Sequence, residues 1–117
     1  MTDTEAVLER HLSAFTEQNK SKTLESYTDE SVVVTNFGTF TGRNGIEHLF
    51  DDLFADLSRE GSSIDITQKT VKNQFAYVVW HAETPKHSYD FATDTYYIPG
   101  DEILFQTLTA KIVSNDA

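Results

Sequence analysis

No cysteine occurs among the 117 residues, which excludes disulfides, thiol nucleophiles and thiolate metal sites together. Basic residues are scarce: 9 Lys and Arg stand against 19 Asp and Glu, a formal charge of -10. Without a basic patch, nucleic acid and anionic membrane surfaces are excluded as partners. Two readings of the acidity stay open, a solvated acidic surface and a salt-rich cytoplasm. No apolar run approaches the roughly 20 residues that span a bilayer. The opening MTDTEAVLER carries neither a basic n-region nor an apolar core, so the expectation is a soluble, cytoplasmic protein with no membrane partner. Only five Gly and two Pro are present and no low-complexity linker, so the chain is expected to form one domain over 1–117. Phosphate loops, dinucleotide fingerprints, nucleophile elbows and zinc signatures are all missing, and the expectation is no cofactor and no metal.

What is present is organised around residues 27–57, YTDESVVVTNFGTFTGRNGIEHLFDDLFADL. Residues 31–37 are short and β-branched, Gly38 permits a tight return, and residues 39–41 run back as a second strand. Asn44, with Glu47 three residues on, is the expected N-cap of a helix whose Ile46, Leu49, Phe50, Leu53, Phe54 and Leu57 fall on one stripe. Before this block, residues 2–19 form a helix with Thr2 and Glu5 at capping-box spacing and Leu8, Leu12 and Phe15 on its apolar face. Residues 21–27 form a shorter one, with Leu24 and Tyr27 inward and Lys20 and Lys22 outward. After Gly61 the period changes to two, giving strands over 63–73, 75–83, 88–98 and 102–113. Both faces of 75–83 are apolar. One is expected to meet the helices; the other, carrying Val78 and Trp80, is expected to meet a second copy of the chain and form a homodimer. The pattern is α+β, a curved antiparallel sheet wrapped around helices.

Three pieces carry a family resemblance: VLERHLSAFTEQNKSKTLESYTDESVVV, the corner TFTGRNGIEHLF, and the late TDTYYIPGDEI. In this order and spacing the chain resembles the ketosteroid isomerase, SnoaL-like polyketide cyclase and nuclear transport factor two-like superfamily. That resemblance implies a cystatin-like cone, a curved mixed or antiparallel sheet around three helices in the N-terminal half. It places His11 where ketosteroid isomerases have an oxyanion-donating tyrosine, and Thr35 where they have the aspartate base. Threonine cannot serve as that base. Asp94 matches the second aspartate of the isomerase oxyanion hole, and with His81 it is similar to the aspartate and histidine of SnoaL-like cyclases.

The resemblance also turns the face of Val79, His81 and Glu83 into the cone, so that His11, His81, Glu83 and Asp94 converge in a pocket lined by Phe15, Tyr27, Thr35, Phe50, Phe54 and Tyr96. An alternative stays open, in which His81 and Glu83 lie outside, solvated or paired with Lys86. His48, Asp51 and Asp52 share the polar face of the third helix and are read as solvated, not as a metal site; His87 sits in a turn with no partner in the sequence. The implied function is binding of a small apolar or carbonyl-bearing ligand, with isomerase or cyclase chemistry by proton transfer next to a carbonyl. His81 and Asp94 would shuttle the proton and His11 would polarise the oxygen. The alternative is a non-catalytic binding or dimerisation module of the same fold.

Overall fold

The computed structural model describes residues 3–115. The elements run α1 (Asp3–Thr16), α2 (Lys20–Leu24), β1 (Tyr27–Thr35), β2 (Gly38–Thr41), α3 (Gly42–Leu57), β3 (Ser63–Lys72), β4 (Phe75–Glu83), β5 (His87–Tyr97) and β6 (Ile103–Ser114). The six strands form one sheet in the order β2-β1-β6-β5-β4-β3. β1 runs parallel to β6 and every other pair is antiparallel. This mixed, open sheet curves around the helices as the α+β reading expected.

The two long helices bury the stripes their periodicity predicts, Val7, Leu8, His11, Leu12 and Phe15 on α1 and Ile46, Leu49, Phe50, Leu53, Phe54 and Leu57 on α3, whereas on α2 it is Thr23 that is buried and Leu24 only partly so. The Thr4 hydroxyl donates to the Ile98 carbonyl at 2.9 Å and ties α1 to the end of the sheet. Thr2, the expected cap of α1, lies outside the described residues.

Two boundaries differ from expectation. Tyr27 opens β1 instead of closing α2, because α2 stops at Leu24 and Ser26 O accepts from Ile103 N at 2.7 Å, which commits the chain to the sheet. A register shift between Tyr27 and Val32 then leaves the Ser31 hydroxyl to donate to the Ile103 carbonyl. The polar run TDES falls in this bulge, which is why it does not read as a strand. Further on, β2 runs directly into α3 through Gly42, at φ 71°, so Thr41 holds the cap position and Asn44 lies inside the helix. A Cβ at Gly42 would stand 2.9 Å from the Asp29 carbonyl oxygen.

The largest correction concerns the facing of β4. Val78 and Trp80 are 0% and 2% exposed and point at the helices. Phe75, Tyr77, His81 and Glu83 lie on the convex side. The reason is chemical: Ala76, Val78, Trp80 and Ala82 make a wholly apolar set apart from one indole N–H, whereas the other set ends in two ionisable side chains that burial would penalise. The inner set therefore fills the core, where the Phe15 and Trp80 rings meet with centroids 5.1 Å apart.

Candidate functional site

The register that buries Trp80 also places Asp94. Asp94 pairs with Val78 on one side and Leu108 on the other, both inward-facing, and is 4% exposed. Residues diagonal to it across the sheet are close enough for long side chains to reach. Trp80 Nε1 donates to Asp94 Oδ2 at 2.7 Å and Gln106 Nε2 donates to Oδ1 at 2.8 Å. Gln106 Oε1 in turn accepts from the Tyr27 hydroxyl at 2.5 Å, and that hydroxyl lies 3.4 Å from His11 Nε2. One polar chain thus runs through the core from His11 on α1, by Tyr27 on β1 and Gln106 on β6, to Asp94 on β5 and Trp80 on β4.

The electrostatics follow from burial. Removal from water pushes the Asp94 carboxyl up to about 7, although the Gln106 and Trp80 donors favour its charged form. Near neutral pH the acid and carboxylate forms therefore coexist. Burial pushes His11 down to about 4, with the Thr23 backbone opposing weakly, so the ring is neutral. Its Nδ1 has no hydrogen bond of acceptable geometry among the described residues. Burial, reinforced by Asp94, drives the Tyr27 and Tyr96 hydroxyls well above their ordinary value, so both stay protonated.

The rings around this chain are closely packed. His11 meets Tyr27, Tyr96 and Phe50 edge-on at centroid distances of 5.4, 5.6 and 6.2 Å. The space left between His11, Phe15, Phe50, Trp80, Asp94 and Tyr96 has a volume of about 10 Å³, room for roughly one water molecule. Of the expected pocket residues, Phe15, Phe50 and Tyr96 line this space, Tyr27 belongs to the hydrogen-bonded chain, and Phe54 stands behind, against Phe15 and Phe50 at 5.9 and 5.3 Å. His11 and Asp94 are brought together, through Tyr27 and Gln106.

His81, Glu83 and Thr35 are not. His81 Nδ1 bonds the Asp90 carbonyl at 2.7 Å on the convex face, beside Phe91, and Glu83 accepts from the Ser88 hydroxyl at 2.9 Å. The Thr35 hydroxyl donates to the Gly38 carbonyl at 2.8 Å within the β1–β2 hairpin. Sequence reasoning missed Trp80 and Gln106 as polar partners. The signal was available in β4, where the face without ionisable residues is the inner one; Gln106 carries no such signal, because its neighbours Leu104 and Phe105 are both exposed.

A second polar cluster was also missed. Asp56, near the end of α3 and 6% exposed, accepts from four side chains. Arg59 Nε and Thr84 Oγ1 bond Oδ1, both at 3.0 Å, and Tyr89 Oη and His87 Nδ1 bond Oδ2 at 2.8 and 3.0 Å. Burial alone would push this carboxyl up, but the Tyr89, His87, Arg59 and Thr84 donors outweigh it and hold Asp56 below its ordinary value. His87, with no partner in the sequence, thus has one in space. On α3, Asp51 pairs with Lys20 at 2.8 Å. Among the described residues no three His, Asp or Glu side chains converge as a metal cage, and no helix is long and apolar enough to cross a membrane.

Solved structures share this architecture. A proposed ketosteroid isomerase from Kribbella flavida is 8% identical with a TM-score of 0.78, covering 98% of this chain and 82% of its own. A proposed polyketide cyclase from Sinorhizobium meliloti is 13% identical with a TM-score of 0.74, covering 92% and 99%. A de novo designed protein with a curved β-sheet is 12% identical with a TM-score of 0.78, covering 95% and 88%. At such identities the likeness shows the fold alone, and the designed protein shows that the cone can exist without an inherited activity. No curated protein matches the sequence. The SnoaL-like domain family does match it, over residues 8–103, and the chain belongs to that family.

Proposed function

We propose that this chain binds a small carbonyl-bearing molecule against Asp94 and moves a proton next to the carbonyl. The supporting observation is Asp94 itself, a buried carboxyl whose two oxygens are fixed by Trp80 and Gln106, and which burial pushes up to about 7 so that acid and carboxylate are both available near neutral pH. In its acid form it donates to a carbonyl oxygen and favours the enol. His11, neutral, meets the Tyr27 oxygen through Nε2 and can only donate there, because the Tyr27 proton goes to Gln106; it polarises the chain, and His81, on the convex face, takes no part. The family likeness to isomerases and a polyketide cyclase agrees with this chemistry.

Because the cavity admits about one water, a ligand enters only as the Phe15, Phe50 and Trp80 side chains give way, and part of its binding energy is spent on that opening. The test is deuterium exchange at the α-carbon of 1-tetralone, followed by proton NMR in heavy water. Exchange above the buffer rate, falling by at least about a hundredfold in Asp94→Asn, is expected of acid–base catalysis. Exchange at the buffer rate, or unaltered by Asp94→Asn, would remove the enzymatic reading.

The non-catalytic alternative is favoured by a different observation. On the convex face the register aligns Phe75, Tyr97 and Phe105 in a row across three strands. Phe75 and Phe105 are 54% and 42% exposed, and Phe75 stacks on Tyr97 at 5.3 Å. In this reading a second copy covers the row, and the homodimer forms through Phe75, Tyr97 and Phe105, not through Val78 and Trp80.

A further inference from the structure

Away from the Asp94 site, a cleft of about 280 Å³ opens between α3, the β1–β2 turn and the ends of β5 and β6. Its walls are Phe37, Leu49, Leu53, Tyr89 and Ile112, with His87 and the carboxylates of Asp52 and Asp56 as its ionisable groups. Phe37 and Ile112 are 50% and 39% exposed, so the cleft is open to solvent, unlike the cavity beside Asp94. The volume is near the lower end of ordinary small-molecule sites, and the composition, apolar walls with a few fixed polar groups, is theirs as well.

The polar groups point to one kind of ligand. Asp56 is a carboxylate held by four donors, and His87 Nδ1 is one of them at 3.0 Å. A carboxylate only accepts, so Nδ1 carries the proton, and in the neutral ring Nε2 is left as a bare acceptor. Among the described residues Nε2 has no partner, and the His87 side chain is 38% exposed. The remaining polar group on the rim, Asp52, is also an acceptor. No Lys or Arg lines the cleft, Asp52 stands on its rim and the Asp56 charge is already met by Arg59 at 3.0 Å, so nothing in the lining recruits an anion. What fits apolar walls with two aromatic rings and acceptor-only polar groups is a neutral aromatic molecule that brings its own donor.

We infer that this cleft is a second ligand site, taking a neutral hydroxyl-bearing aromatic whose O–H donates to His87 Nε2 while Phe37 and Ile112, the exposed apolar walls, flank its ring. Asp56 is the positioning residue, since it fixes the tautomer and orientation of the imidazole. The cleft shares Leu53 with the cavity beside Asp94, but the inference does not rest on the chemistry proposed there.

2-Naphthol is the probe, titrated at about pH 8 while the His87 ring nitrogens are followed by nitrogen-15 NMR. The expected result is a saturable shift at His87 Nε2, with Nδ1 still protonated. 2-Methoxynaphthalene, which has the same ring but no donor, should bind about tenfold more weakly, the loss of one hydrogen bond of about 1.4 kcal/mol. Ile112→Trp, which fills the cleft without touching Asp56, should abolish binding while its thermal transition stays cooperative. Saturation without movement of the His87 resonances, equal affinity for the methyl ether, unimpaired binding by Ile112→Trp, or no binding of 2-naphthol at millimolar concentration would each overturn the assignment. So would tighter binding of 2-naphthylmethylammonium, which would make the cleft a cation site.

Discussion

His11 and Asp94 pull the pH dependence of stability in opposite directions. The folded value for Asp94, about 7, lies above its ordinary 3.8. Between the two the folded chain keeps a proton that the unfolded chain has lost, so stability falls as pH rises through the window. For His11 the folded value of about 4 lies below the ordinary 6.5. There the unfolded chain binds the extra proton, and stability rises with pH. Over about pH 4.5 to 6.5 the two slopes nearly cancel, and the parent should show a flat profile from this pair. Asp94→Asn should unmask the rise and His11→Phe the fall, each on the order of 2–3 kcal/mol across that interval. Urea titrations at several pH values measure this; the same slope in all three proteins would mean that neither group is buried as described.

Among the elements, α3 gives more of the buried core than any other, and its two faces make opposite predictions. Phe54→Ala should cost about 3–5 kcal/mol, since Phe15 and Phe50 cannot both close the gap, while Asp52→Ala on the polar face should stay within about 0.5 kcal/mol. Gly42→Ala should cost roughly 1–3 kcal/mol, because its φ of 71° and the Asp29 carbonyl leave no place for a Cβ. Guanidinium titrations that ranked Asp52→Ala with Phe54→Ala would mean that the helix is turned about its axis. The stripe on α3 was legible because six apolar residues, Ile46 to Leu57, repeat one period. So was the succession of strands along the chain, from alternation and turns; their order in the sheet, with β1 parallel to β6, was not. Strand facing was not: β4 is apolar on both sides at Val78 and Val79, and a period of two cannot by itself say which side is inside. The decisive residues were His81 and Glu83, whose charge belongs outside. Asp94 and His11 were singled out through family likeness, and the structure buries both in one polar chain, whereas Gln106, Asp56 and His87 depend on side chains from distant strands meeting, which no local pattern encodes.

At the scale of the whole molecule the sheet has a filled concave face and a convex one that carries an apolar row of Phe75, Tyr97 and Phe105. If a second copy covers the row of Phe75, Tyr97 and Phe105, the parent should sediment as a dimer and Phe105→Glu as a monomer, because the variant would bury a carboxylate with no partner. A monomeric parent, or an unaltered assembly in the variant, would leave that face to another role. The fold itself is shared with a designed protein and is indifferent to activity; the proposed chemistry depends instead on one group sealed in the cone, the Asp94 carboxyl. Carbon-13 NMR of the Asp94 carboxyl carbon, titrated from about pH 3 to 9, measures its protonation directly. A midpoint near 7, moving when Gln106→Leu removes one of its two donors, is the predicted result. A midpoint near the ordinary carboxylate value of about 4 would contradict it, because the group would then be a solvated carboxylate with no proton to give.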